Sequence, residues 1–122
     1  MAAQRTDFAM FEGDSKTITV TVRDEAAAVV DLSGFTIRWG LSPLVEGGFN
    51  PAATLSKDSE TTGGIEITSA VGGVFVVTLD PDDTEALAGK YYHEAEVTDA
   101  AGNIATVLTG RITITPVLLR AS

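Results

Sequence analysis

Apolar and polar positions alternate with a period of two along most of the chain, the pattern of half-buried strands. Residues 16–24 set Ile18, Val20 and Val22 against Thr17, Thr19 and Thr21, with β-branched side chains on both faces. Val29 and Val30 pair back after a short alanine connection. A tight turn follows at Asp31-Leu32-Ser33-Gly34. Residues 35–42 then set Phe35, Ile37, Trp39 and Leu41 against Thr36, Arg38, Gly40 and Ser42, with the Trp39 indole at the centre of the inward face. Residues 54–58 and 65–69 form weaker strands. Residues 74–79, VFVVTL, have no polar alternation, which predicts burial on both faces. Residues 90–99 alternate Tyr91, His93, Ala95 and Val97 against Tyr92, Glu94, Glu96 and Thr98. A glycine-bearing hairpin turn at 100–103 leads to two last strands, 104–110 and 111–119. The only helical signal is at 80–89, where Asp83 or Thr84 can cap one turn and Gly89 can end it.

Short strands at about ten-residue spacing predict an all-β protein, a single immunoglobulin-like β-sandwich of about seven or eight antiparallel strands. At most one short helical turn, near 82–88, accompanies them. A length of 122 residues suits one domain whose core needs no staples. The expected division is an N-terminal arm at 1–12, the sandwich at 13–116 and a C-terminal tail at 117–122.

Charge and composition narrow the partners. The net charge is −9, and the eight basic residues are scattered, so nucleic-acid phosphate is not an expected ligand. Without cysteine there is neither a disulfide nor a thiolate metal site. The N-terminus has no apolar signal region and no apolar run approaches a membrane span, so no membrane partner is expected and the reading is a soluble protein assembled in the cytoplasm.

No residue reads as catalytic. His93, the sole histidine, neighbours Glu94, but adjacent strand residues point to opposite faces, so the pair cannot cooperate within the strand. No Gly-x-Ser-x-Gly elbow, phosphate loop or dinucleotide fingerprint is present. Asp80, Asp82, Asp83 and Glu85 lack EF-hand spacing and read as a capped, solvated turn rather than a calcium site. No metal or other cofactor is therefore expected. Tyr92 and Phe49 are aromatic residues that could stack on a sugar, which makes a carbohydrate- or cell-surface-binding module the rival reading. Tyr91, just past a turn glycine, suits the tyrosine that closes a sandwich corner.

Three regions do not suit an isolated domain. The arm carries Phe8, Met10 and Phe11, and the tail carries Val117, Leu118 and Leu119. The 43–53 segment, read as a loop, holds Leu44, Val45 and Phe49. Apolar termini fray unless something holds them, so these nine residues are the expected partner-binding set.

Gly13-Asp14 before the first long strand, Asp31 to Gly34 before the second, then Thr84, Leu87, Gly89, Tyr91, Glu94 and Glu96, and Gly110 in the last part of the chain form one layout. That layout resembles small Ig-like structural proteins of tailed bacteriophages and is similar to the N-terminal domain of phage baseplate upper proteins. The resemblance implies a non-enzymatic virion protein, assembled in the host cytoplasm. It would dock in multiple copies on capsid or tail subunits, as a capsid decoration, head-associated or tail/baseplate component. The length fits a small stand-alone subunit.

Overall fold

The computed structural model describes residues 2–45, 48–49, 53–61 and 63–118. Among the described residues ten strands and one helical turn follow in order: β1 Gln4–Arg5, β2 Phe8–Phe11, β3 Lys16–Thr21, β4 Thr36–Val45, β5 Gly48–Phe49, β6 Leu55–Asp58, β7 Ile65–Ser69, β8 Val74–Leu79, α1 Pro81–Thr84, β9 Gly89–Thr98 and β10 Ile104–Thr115. Two sheets face each other. The smaller has the order β3-β8-β7; the larger runs β1-β10-β9-β4-β5, with β2 beside β10 and β6 beside β4. This is the B-E-D against G-F-C arrangement of immunoglobulin sandwiches. The core between the sheets holds Val20, Phe75, Val77 and Leu79 from one side and Ile37, Trp39, Ala95 and Ile112 from the other, all buried.

The Asp31–Gly34 turn forms as its sequence predicts. The Asp31 carboxylate accepts from the Ser33 amide at 2.9 Å and the Ser33 hydroxyl at 2.6 Å. Gly34 takes φ +79°, where an L side chain is strained. Ile37, Trp39 and Leu41 then turn inward and are buried, while Phe35 is half-buried at the strand entrance.

Four expectations need correction. First, residues 1–12 are not a detached arm: β1 and β2 pair with β10 in parallel, Gln4 opposite Leu108 and Phe8 opposite Ile112. The sandwich is therefore not wholly antiparallel. Second, β4 continues through Pro43 to Val45 and makes a hairpin with β5, so the first part of the 43–53 segment is strand. Third, 104–115 is one strand. A bulge between Thr106 and Leu108 inserts Val107, so the inward positions change from odd (Ala105) to even (Leu108, Gly110, Ile112). The expected boundary at 110–111 is continuous strand, and the change of parity lies earlier, at Val107. Fourth, β8 is not buried on both faces: Phe75, Val77 and Leu79 point inward, but Val74 and Val76 are half-buried and Thr78 is exposed on the outer face.

The helical turn starts at Asp80 as N-cap, not at Asp83 or Thr84. The Asp80 amide donates to the Asp83 carboxylate at 2.7 Å, and Lys57 Nζ meets the same oxygen at 2.7 Å, tying the turn to β6. Thr84 is buried and has a different task. Its hydroxyl accepts from the Gly13 amide at 2.9 Å and donates to the Asp14 carbonyl at 3.4 Å. Gly13-Asp14 and Thr84, distant in sequence, are one contact.

The chain ends hold each other. The Glu12 amide donates to the Thr115 carbonyl at 2.9 Å, and the Val117 amide donates to the Glu12 carboxylate at 3.3 Å. Gln4 covers the edge of β3. Its side-chain amide donates to the Thr19 carbonyl and accepts from the Thr21 amide, both at 3.3 Å, as a neighbouring strand would.

The close passage of the N-terminal strand requires Gly110, where a Cβ would run into the Thr6 carbonyl and lie 2.8 Å from His93 Nε2. Gly110→Ala is expected to lower the melting temperature by about 5 °C or more. It should also speed hydrogen exchange at the Thr6 amide, which donates to Thr109, while the β3-β8 amides stay protected in the native state. Unchanged exchange at Thr6 would contradict the close-approach account.

Candidate functional site

His93 sits on the inner face of β9, with none of its surface exposed. Trp39 Nε1 donates to its Nδ1 at 3.1 Å. Its Nε2 lies 2.7 Å from the Thr6 carbonyl oxygen. An indole N–H can only donate and a carbonyl can only accept, so Nδ1 is the bare nitrogen and Nε2 carries the proton. The ring is neutral, and burial is the main cause that pushes its pKa below the ordinary value, against smaller upward effects of the Thr6 carbonyl and Asp7. Phe8 and Trp39 contact the ring edge-to-face at centroid distances of 5.8 and 6.0 Å.

Position 93 is informative. In immunoglobulin domains the corner tyrosine stands two residues before the F-strand cysteine, and the C-strand tryptophan packs on the disulfide. Here Tyr91 is buried against Gly89, Trp39 is on the C strand, and His93 occupies the cysteine position. The immunoglobulin disulfide joins the two sheets, whereas the Trp39–His93–Thr6 relay lies within the larger one and ties β4 and β9 to the N-terminal segment. With both nitrogens engaged and the ring enclosed, His93 has no access to a substrate.

The acidic cluster does not converge. Among the described residues no group of three or more His, Cys, Asp or Glu is placed to hold a metal ion. The expected partner-binding residues divide. Met10 is buried in the core, and Phe8 is half-buried against it and His93, so these two support the sandwich rather than a surface. Phe11 is 53% exposed, Val45 50% and Leu118 89%. Leu44 and Val117 are half-buried. Phe49 lies on β5 opposite Leu44, with its side chain outside the described set, and Leu119 is outside the described residues.

The sheet register brings the exposed members to one end. Phe11 pairs with Thr115, Ile114 with Gly89, and Pro43 with Tyr91, so the Val45 end of β4 is level with the ends of β2 and β10. Phe11 and Val45 are three strand spacings apart, about 14 Å. Arm, tail and the 43–49 hairpin therefore share one rim, a relation that sequence spacing does not show.

The outer face of the larger sheet carries a second feature. Tyr92 projects there between Ser42 of β4 and Arg111 of β10. On one side is a trough of about 280 Å³, with Gly40, Ser42 and Ser56 among its lining and Glu94 and Arg38 beside them. On the other is a hollow of about 340 Å³ that includes Arg5, Leu44 and Arg111. Arg38 pairs with Glu96 at 3.3 Å. Burial, and then the Glu94 charge, raise the Tyr92 pKa, so the phenol keeps its proton.

Comparison with known proteins places the fold. A crystal structure of chicken TCR matches with a TM-score of 0.56 at 17% identity, over 97% of this chain and 57% of that one. The molecule is an immunoglobulin-like sandwich. Tim-1 aligns over 95% of this chain and 97% of its own, at 13% identity and a TM-score of 0.42. No family model and no curated protein matches the sequence.

The relay makes stability depend on pH. The unfolded histidine takes up a proton near 6.5, whereas the buried ring resists it, so the unfolded state binds more protons as pH falls through that value. Stability should be level above about pH 7 and decline below about 6.5. A second decline, near pH 4 and below, is expected as Asp7, Asp31 and Asp99, whose pKa values are lowered by hydrogen bonds, are protonated. His93→Phe should remove the first decline and cost about 3 kcal/mol, because the Trp39 N–H and the Thr6 carbonyl lose their partner. Urea unfolding at pH 7.5 and 5.5 measures both effects; an unchanged slope in the variant would refute the assignment.

Proposed function

We propose that this chain is a non-enzymatic structural module of a tailed-phage virion, an Ig-like subunit that docks on capsid or tail proteins. The observation that carries the docking part is the shared rim. Two exposed apolar side chains, Phe11 and Val45, stand at one end of the larger sheet, with outward and inward strand parity respectively, and exposed Leu118 follows three residues after the end of β10. Exposed apolar side chains gathered in this way suit contact with another protein more than contact with water. The virion part rests on the sequence layout from Gly13-Asp14 to Gly110. Its residues serve turns and contacts of the fold, including the Thr84–Gly13 bond, so they support a scaffold and carry no chemistry.

Repetition in a symmetric particle would let each rim contact be modest, because linked copies raise the effective concentration of the next contact. The net charge of −9 keeps free copies apart before assembly.

The test is co-sedimentation with purified phage capsids and with tails. Deleting the arm would remove the covering of β10 and His93, so point substitutions are the informative variants. Phe11→Ser, Val45→Ser and Leu118→Ser together should leave the melting temperature within about 3 °C, since the three side chains are half or more exposed. They should reduce particle binding by tenfold or more, on the order of the effect of losing a small hot spot. Undiminished binding by the triple variant would overturn the rim as the docking surface, and no sedimentation with either particle would overturn the virion reading.

A further inference from the structure

The trough beside Tyr92 lies on the outer face of the larger sheet, along Arg38 to Ser42 of β4, and docking through the rim leaves it without a task. Its form follows from the strand register. Along β4 the outward positions are Arg38, Gly40 and Ser42, and β6 places Ser56 opposite Gly40. The floor thus consists of a glycine and two small hydroxyl residues. Across it, β9 raises Tyr92 opposite Ser42, Glu94 opposite Gly40 and Glu96 opposite Arg38. One wall is therefore an aromatic side chain followed by a carboxylate, and the Arg38–Glu96 pair stands at one end.

We propose that this trough binds a neutral or amino sugar, one ring against Tyr92 and its hydroxyls on Glu94 and Ser56. The chemistry of each part matches that ligand class. The C–H-bearing face of a pyranose is weakly positive and packs on the negative face of an aromatic ring. A carboxylate accepts hydrogen bonds from hydroxyls but cannot donate, and the exposed Ser56 hydroxyl does both, which is the set a polyol needs. The trough's volume is at the lower end of small-molecule sites, roughly 300 to 1,000 Å³. That is room for one or two sugar rings and not for a folded partner.

Charge selects within the class. The two cations at the trough are already paired, Arg38 with Glu96 at 3.3 Å and Lys57 with Asp83 at 2.7 Å. Glu94 adds negative charge next to the ring position. Carboxylated or sulfated sugars would meet repulsion there, whereas uncharged and amine-bearing sugars would not. The binding would be weak for a single ring in so open a site, and useful to a protein present in many copies.

Gly40 allows a test that leaves the wall intact. Its φ is not in the left-handed region, and an added Cβ would meet only the Ala53 Cβ at 3.5 Å and the Leu55 carbonyl at 3.8 Å, both ordinary contacts. A Cβ there makes only ordinary contacts, so side-chain bulk can be added to the floor. The experiment is a titration of the ¹⁵N-labelled chain with neutral and amino di- and trisaccharides of glucose, galactose, mannose, rhamnose and glucosamine. Each is taken to about 10 mM, a range that detects millimolar binding. At least one should move the Gly40, Ser42, Tyr92 and Glu94 amides along one saturable curve. Tyr92→Phe should hold the Kd within about threefold, since it keeps the ring face, and Tyr92→Ala and Gly40→Val should weaken binding at least about tenfold with thermal unfolding near that of the parent. The Phe11, Val45 and Leu118 variant should bind sugar normally, which separates this site from the docking rim. Saturable shifts that survive Tyr92→Ala, equal binding of heparin disaccharide, or no shift with any sugar would each overturn the proposal.

Discussion

One buried imidazole connects the parts of this sandwich. His93 accepts from Trp39 on β4 and donates to Thr6 in the connection between β1 and β2, so two strands of the larger sheet and the N-terminal segment meet at one ring. Remove it and two polar groups, the Trp39 N–H and the Thr6 carbonyl, are left inside the protein without a partner, which costs more than the bonds themselves contribute. The arrangement also depends on Gly110, because any side chain there would stand where Thr6 passes. A domain with no cysteine thus holds its larger sheet and N-terminal segment together by hydrogen bonding, from the F-strand position where antibody domains carry a cysteine.

The acidity of the chain acquires a local meaning. Six of its aspartates hold backbone amides at bends and strand ends. Asp24 accepts from Ala26 and Ala28, Asp58 from Glu60 and Gly63, and Asp99 from Ala101 and Asn103. Asp31 serves Ser33, Asp83 serves Asp80, and Asp7 accepts from Arg111 at 2.9 Å across the N-terminal connection. A carboxylate is a strong acceptor for such amides. Much of the negative charge is accordingly part of the turn chemistry of a protein made of short strands, and gives no evidence of a cationic partner.

How much of this could be read from the sequence follows from range. Strands whose inward and outward faces differ, such as 16–21 and 36–42, and turns made by neighbouring residues, such as Asp31–Gly34, depend on local chemistry and were legible. The parallel pairing of β1 and β2 with β10 depends on residues about a hundred positions apart and leaves no periodic trace of its own. The last strand was read as two, 104–110 and 111–119, and the parity shift at Val107 inside it has no local signature. Phe8 and Met10 looked like surface anchors because a four-residue strand is too short to display its alternation. His93 was readable as structural, but its partners were not, since nothing in the spacing links it to Thr6. Tyr92 was visible as an outward aromatic, whereas the trough beside it arises only when β4 and β6 are laid alongside β9.

The parallel N-terminal strand has a consequence for the order of events during synthesis. Asp7 and its partner Arg111 are 104 residues apart. At roughly 5–20 residues per second, the early strand waits on the order of 5–20 s for β10 to be made. Throughout that interval Phe8 and Met10 have no sheet to enter, and the indole of Trp39 lacks the ring that orders it until His93 has also left the ribosome. The first strand made is among the last to be placed, and in a crowded cell a second nascent copy could offer its β10 to that strand before the chain's own arrives.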